Sequence, residues 1–328
     1  MTTTPDYKQS YLDAVTAARD ALPGQSVPWV RALRTEATAR FAELGFPTTR
    51  HEDWKYTNVS AIERHAFRPA AATAAAVSVQ QLESLLFTGV AAHRLVFVNG
   101  RHAPSLSAVG NLPAGTTVGS LADTLVAHPE AVEPYLGKHA RADAHGFAAL
   151  NAALLVDGAY VHLARGVAVE QPIYLVFVAT DAESLMTSPR NLVVVEAGAQ
   201  ATIIEQYVTL GEARYFTNAI TEAVLGGNAH LEHYRLQQES PKAHHISGWH
   251  VHQGRDSRFT SHTVDIGGLL VRNELNSRLD AEGAECELNG LYVVDGRSHV
   301  DNHTCVDHAR PHGTSREFYK GVLDGQAR

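Results

Sequence analysis

Histidine is the residue type with the most obvious capacity for chemistry in this sequence. The chain has 328 residues and 19 histidines, seven of them between His230 and His262. His250 and His252 are two residues apart, so a strand would place both imidazoles on one face. A metal site needs two or three such side chains, often with a carboxylate. The candidate carboxylates are Glu232, Asp265 and Asp301. The histidines are equally compatible with half-buried positions in stacked strands, so the spacing leaves both interpretations open.

Cys305 is the second candidate, because it lies between His303 and His308. A nearby imidazolium lowers the pKa of a thiol and activates it. On a strand, however, Cys305 points away from both of its neighbours, and an inward-facing cysteine packs as a small hydrophobic residue. We therefore expect Cys305 to pack in the core. The only other cysteine in the sequence is Cys286, so neither a disulfide framework nor a cage of four thiolates fits within this chain.

The densest local motif runs from Gly45 to Asn58 and follows a predicted helix end. Trp54 and Tyr56 can anchor such a loop by burying aromatic area while their polar tips stay bonded. The charged residues that can pair locally or meet a partner are Glu52, Asp53 and Lys55. We favour an anchored connector between helical elements, and a direct contact with a partner is the alternative.

The sequence lacks the motifs that are typical of several function classes. No G-x-x-x-x-G-K-[ST] loop occurs, so we do not expect the chain to hydrolyse ATP. The nucleophile elbow and the H-E-x-x-H helix are also missing from the sequence. The formal charge of −8 and the lack of a dense basic cluster argue against nucleic acid as the main partner. The sequence contains no apolar run long enough to predict a membrane-spanning helix. The N-terminal residues do not resemble a secretory signal, so we expect a cytoplasmic protein.

The first half of the chain predicts helices and a hairpin. Apolar spacing predicts helices over 6–22 and from Pro28 to about Gly45, with Gly45 as the C-terminal cap. A strand over 94–98 precedes Asn99-Gly100, which favours a tight turn. The other predicted segments are an alanine-rich spacer at 70–77, a short helix over 79–87 and a helical stretch over 121–155.

From about residue 157 the pattern changes to short strands separated by Gly or Pro. From Gly198 to Gly325 these breaks recur every 13 to 16 residues. Regular short strands favour a sandwich, a barrel or a solenoid. The few Asp-Gly pairs and the even spacing favour a parallel β-helix, whose coils stack on their neighbours. We predict a helical N-terminal region at 1–92, a mixed segment at 93–156 and a β-helix core at 157–328.

The order of these motifs resembles the SufB/SufD family of iron–sulfur cluster assembly scaffolds, and within it the SufD branch. The matching segments include the 45–57 motif, the 94–101 strand and turn, and a series that ends at Tyr319-Lys320-Gly321. The family signature positions are Glu52, Asp53, Trp54, Lys55, Tyr56, Thr57, Asp301, His303, His308, Ser315 and Lys320.

This resemblance implies a fold of mainly β-structure, a right-handed parallel β-helix preceded by helices. It also implies a non-ATPase scaffold that pairs with SufB through the β-helix and acts with the ATPase SufC. The iron–sulfur cluster would be assembled transiently in that complex, and this chain alone would bind no cofactor. Family members continue beyond the last residue of this sequence, into a part that is expected to hold the SufC contact and the cluster-assembly residues. The alternative function is a cupin-like, histidine-rich β-barrel metalloenzyme. A polysaccharide-active β-helix protein is a third possibility, and it would be expected to be secreted.

Overall fold

The computed structural model describes residues 7–70, 77–87 and 89–328. The predicted alanine-rich spacer falls mostly outside these residues. The α-helices are α1 (Tyr7–Ala18), α2 (Pro28–Leu44), α3 (Ser60–His65), α4 (Val79–Glu83), α5 (Leu121–Ala127), α6 (Pro129–Val132) and α7 (Gly146–Leu154). In the part of the chain that the structure covers, no helix combines the length and the apolar character needed to cross a membrane.

The boundaries of α2 follow from its sequence. Pro28 occupies the first turn, where a missing N–H costs nothing, and Gly45 ends the helix at φ 61°. The Gly45 N–H donates to the carbonyl of Phe41 at 2.9 Å. This helix is therefore confirmed as predicted. The predicted helix over 79–87 is shorter, because α4 ends at Glu83.

The strands lie between residues 68 and 323 and form two sheets. They are β1 (Arg68–Pro69), β2 (His93–Val98), β3 (Arg101–His102), β4 (Thr116–Ser120), β5 (Ala159–Leu163), β6 (Ile173–Ala179), β7 (Leu185–Thr187), β8 (Arg190–Val195), β9 (Gln200–Thr209), β10 (Tyr215–Leu225), β11 (His230–Gln238), β12 (His244–Gln253), β13 (Arg258–Asp265), β14 (Leu270–Leu279), β15 (Glu285–Val294), β16 (His299–Asp307) and β17 (Thr314–Leu323).

From β8 onward, successive strands alternate between the two sheets, and this alternation defines the coils. Sheet A has nine strands and its main order is β16-β14-β12-β10-β8-β5-β4, while sheet B has the order β17-β15-β13-β11-β9-β6-β2-β3. From β5 to β17 each ladder between neighbouring coils is parallel. The chain is therefore a β-helix with helices mainly at its N-terminus, which confirms the predicted fold class. The predicted hairpin is also confirmed, since β2 and β3 pair antiparallel around Asn99-Gly100.

Alternation along each strand separates an interior from an outer face. Leu231 and His233 both point into the β-helix and are buried. Leu231 is in register with Phe259, and Phe259 with Cys286. These buried side chains stack from coil to coil, so each coil completes the core of the next one.

The N-terminal helices cover the outer face of sheet A. Phe41 of α2 and Phe147 of α7 belong to one buried cluster with Phe216, Ile246 and Leu270, which point outward from β10, β12 and β14. Phe147 meets Phe216 edge-on, with ring centroids 5.7 Å apart. This apolar contact holds the helical region against the strands.

Two tyrosine–glycine pairs fix the register of β15 and β17. Gly290 is paired with Tyr319, and Tyr292 with Gly321. A Cβ at Gly290 would lie 2.2 Å from ring atoms of Tyr319, and a Cβ at Gly321 would lie equally close to the Tyr292 ring. Each ring therefore occupies the space that the opposite glycine leaves free. This packing gives a physical reason for the Tyr319-Lys320-Gly321 segment.

Gly290→Ala should destabilise the chain, because the new methyl group must displace the Tyr319 ring. Overpacking of this kind costs about 1–3 kcal/mol. The control is Gly119→Ala on β4, where a Cβ would meet no atom within 4 Å. Urea unfolding measures both variants, and a loss at Gly119 as large as that at Gly290 would contradict the packing argument.

Candidate functional site: the contact between residues 52–57 and strands β14 and β16

A buried arginine lies at the centre of the contact between the N-terminal motif and sheet A. Arg272 on β14 is 1% exposed, and its guanidinium carbon lies 4.0 Å from the centroid of the Trp54 ring. Its Nη1 donates to a carboxylate oxygen of Asp301, and its Nε donates to Glu274 Oε1 at 3.1 Å. A planar guanidinium can stack on an aromatic face while its edge binds carboxylates. One side chain thus joins the motif to two neighbouring strands.

Thr57 adds a second link between the same segments. Its side chain is fully buried, and its hydroxyl donates to the carboxylate of Asp301. His299 Nε2 lies 3.2 Å from the same hydroxyl oxygen. Outside this buried contact, His303 Nε2 lies 3.7 Å from Asp53 Oδ1. The structure therefore brings together signature residues that are far apart in the sequence. We call Trp54, Thr57, Arg272, Glu274 and Asp301 the N-terminal clamp.

Glu274 connects the clamp to the start of α7. His145 Nε2 lies 2.9 Å from Glu274 Oε2, and the His145 ring meets Trp54 edge-on at 5.6 Å. Burial alone would raise the pKa of Glu274, but His145 and Arg272 outweigh burial and lower the pKa to about 2. The carboxylate is therefore ionised in the folded chain and holds the Arg272 guanidinium and the His145 ring in place.

The remaining members of the 52–57 motif lie at the surface. Glu52 and Lys55 are exposed, and Tyr56 is 82% exposed. The expectation that Tyr56 anchors the loop by burial is wrong, because the chain turns after Trp54 and directs Tyr56 to solvent. Lys55 Nζ lies 5.6 Å from the Tyr56 ring centroid. The motif thus divides into a buried anchor and an exposed group of three charged residues and one aromatic.

The signature residues near the end of the sequence make their own contacts. His308 Nε2 lies 3.0 Å from the Ser315 hydroxyl. Lys320 Nζ lies 5.8 Å from the centroid of the Phe318 ring. These two contacts lie on β17 and on the turn before it, and neither is a contact of the clamp.

His250 and His252 share the outer face of sheet A, as their spacing predicted, but the proposed ligand set does not converge. His252 Nε2 lies 3.1 Å from Asp280, and its ring stacks on His139 at 4.8 Å. Burial lowers the pKa of His250 to about 4, so its ring is neutral near pH 7. Glu232 lies on sheet B, and Asp265 points into the β-helix. No group of three His, Cys, Asp or Glu suited to a metal ion occurs within the described ranges.

The prediction that Cys305 packs in the core is wrong. Cys305 is exposed on the outer face of sheet A. The register of β14 with β16 pairs Arg272 with Asp301 and Asn276 with Cys305, and these outward positions share one parity. The buried cysteine is Cys286 on β15.

A second buried ion pair was not found from the sequence. Glu222 is fully buried and accepts hydrogen bonds from the N–H groups of Gly137, His139 and Ala140. Arg190 Nη2 lies 2.6 Å from Glu222 Oε1. Burial opposes ionisation of Glu222, but Arg190 and the three N–H groups lower its pKa below the usual value. A single charged residue in a strand of otherwise uncharged residues was the available signal, and its partners come from the neighbouring strand β8 and from a distant loop.

Both halves of the sequence match family models. Residues 5–175 match the SufBD protein N-terminal region, and residues 177–328 match the SufBD core domain of the SUF iron–sulfur cluster assembly system. The chain belongs to the SufBD family.

Relatives with this family name cover most of the chain. An iron–sulfur cluster assembly SufBD family protein of Synechocystis is 31% identical over 303 residues, which cover 90% of this chain and 66% of that protein. The iron–sulfur cluster assembly protein SufD of Escherichia coli is 29% identical, with coverage of 87% and 64%. The chloroplastic protein ABCI7 of Arabidopsis thaliana is 26% identical, with coverage of 94% and 65%. The chain thus spans just under two thirds of the length of these relatives.

Trp54→Ala should destabilise this SufBD chain by about 3–5 kcal/mol, the usual cost of truncating a buried Trp. Trp54 is 3% exposed and contacts Arg272 and Phe147, so its loss leaves a buried cation without its aromatic partner. The matched control is Tyr56→Ala, which should change stability by about 0.5 kcal/mol or less because the ring is exposed. Thermal unfolding measures both, and equal losses would contradict the division of the motif.

Glu274→Gln should have a pH-dependent cost. The pKa of Glu274 falls from an ordinary 4.5 to about 2 in the folded chain. The carboxylate therefore stabilises the fold fully above about pH 4.5, and this contribution is lost as the pH falls towards 2. We expect Glu274→Gln to be less stable than the unmodified chain at pH 6, with a difference that narrows at pH 3.

Urea unfolding at pH 6, 4.5 and 3 measures this difference. Glu287→Gln, at an exposed carboxylate on β15, is the control and should show no such trend. A gap for Glu274→Gln that stays constant across these pH values would refute the role of its ionised form.

Proposed function

We propose that this chain acts in iron–sulfur cluster assembly as a non-catalytic scaffold of the SufD type. The observation that carries this proposal is the match of both halves of the chain to SufBD family models. The Escherichia coli relative is itself named as an iron–sulfur cluster assembly protein, SufD. In this role the cluster is the cargo of the assembly, and no residue of this chain is assigned to it. The cytoplasmic location remains a prediction.

The proposed partners are SufB and the ATPase SufC. The match of both halves of the chain to SufBD family models supports pairing with SufB through the β-helix.

The arrangement of ionisable groups also favours a scaffold over an enzyme. The buried charges of the clamp and of the Arg190–Glu222 pair satisfy each other, so they are positioned for structure. The cupin-like alternative requires an antiparallel barrel, and the parallel ladders of this fold are incompatible with it.

The test is co-purification of a tagged form of this chain with SufB and SufC from the same organism. We expect SufB to co-purify with it. The Escherichia coli SufD with its own partners serves as the positive control. Recovery of this chain alone, under conditions in which the control retains its partners, would refute the proposed pairing.

A further inference from the structure

The outer face of sheet B carries an apolar stripe that is covered over its first coils. Val96, Val176 and Val208, on β2, β6 and β9, point outward and pack in one cluster with Leu82 of α4. Gln206 on β9 donates to the carbonyl of Leu85 at 2.9 Å. A short segment, residues 77–87, which contains the five-residue helix α4, thus lies on this face of the first coils. This contact shows that the apolar stripe can pack against a short helix.

The same stripe continues along the next four strands. Leu236 on β11 is in register with Val264 on β13, and Val264 with Leu291 on β15. On β17 the position in register with Leu291 is Lys320, and the neighbouring outward positions mix polar residues (Gln238, His262 and Asn289) with exposed apolar and aromatic residues. The exposed members are Tyr234 (39%), Ile266 (44%), Leu291 (39%), Val293 (42%), Phe318 (61%) and Val322 (57%). We call this set, with Leu236 and Val264, the sheet B stripe.

The dimensions of the stripe suit one helix. Four strands span three spacings of about 4.8 Å, or roughly 14 Å. A helix of about three turns is roughly 16 Å long and about 10–12 Å wide with its side chains. The adjoining half of the same face is polar, with Arg258, Thr260, Glu285 and Glu287 pointing outward. The polar half therefore limits the width of the apolar stripe. A second sheet packed face to face would also cover these polar residues.

We propose that the sheet B stripe is the binding surface for an amphipathic helix of a partner protein, which lies across β11 to β17 in continuation of residues 77–87. The argument rests on the continuity of the stripe with the contact that α4 already makes. Its apolar residues would meet Leu- or Phe-type side chains spaced three and four residues apart, as Leu85 and Leu86 are from Leu82 in this chain. This inference is independent of the pairing with SufB proposed above.

The experiment uses the helical segment of the chain itself as the probe. A fluorescent peptide of residues 77–87, held helical by a lactam bridge on its polar face because short helices are marginal alone, is titrated with the full chain. We expect saturable binding by fluorescence anisotropy. Val264→Glu and Leu291→Glu should each weaken it about ten-fold or more, because each places a charge under the apolar face of the peptide.

The matched control is Thr260→Glu, which lies on the same strand and face as Val264 but in the polar half. It should change the affinity by less than about two-fold. Far-UV circular dichroism checks that each variant is folded, and Leu291→Ala replaces any variant that is not. Equal weakening by Thr260→Glu, equal binding of a scrambled peptide, or no binding would overturn the proposal. Sedimentation velocity that shows a dimer dissociated by Val264→Glu would also overturn it, because the occupant would then be a second copy of the chain.

Discussion

In-register stacking of the coils is the constraint on which the rest of this structure depends. Each inward side chain has the equivalent position of the next coil as its neighbour, so the core is built by ladders such as Leu231, Phe259 and Cys286. A shift by one residue would exchange the inner and outer faces of a strand. The Tyr319 and Tyr292 rings oppose such a shift, because each fits only over a glycine.

The same constraint places charged groups inside the β-helix, where they must satisfy one another. Arg235 Nη2 lies 2.6 Å from Asp265, and its Nη1 donates to Asn273 at 2.6 Å. Glu205 accepts a hydrogen bond from Trp249 Nε1 at 3.2 Å. Buried ion pairs add little net stability compared with apolar residues, but removal of one partner is costly. These pairs therefore favour the native register over alternatives that would separate them.

The sequence predicted the parts of the fold that depend on local spacing. The breaks every 13 to 16 residues indicated coils, and Pro28, Gly45 and Asn99-Gly100 indicated helix ends and a turn. The contact of Thr57 with Asp301 could not be derived from spacing, because it joins residues 244 positions apart. The family resemblance identified Thr57 and Asp301 as signature residues, but it did not indicate that they are in contact.

The errors have a related physical origin. Alternation along a strand gives two sets of side chains, but it does not say which set is inside. Cys305 was assigned to the wrong set because its thiol suited a core, whereas the register with β14 places it outside. Tyr56 was expected to be buried like Trp54, yet only Trp54 finds a cation and a second ring beneath it. In both cases the deciding neighbour is distant in the sequence.

The two outer faces of the β-helix are therefore used differently. Sheet A is covered by helices, and its charged outward residues pair across neighbouring strands, as Arg272 does with Asp301 and Glu222 with Arg190. Among the described residues, sheet B is covered only over its first coils. The outer face of its later strands consists of a polar half and an adjoining apolar stripe. The N-terminal clamp stiffens one face of this chain, while the apolar stripe on the other face is exposed.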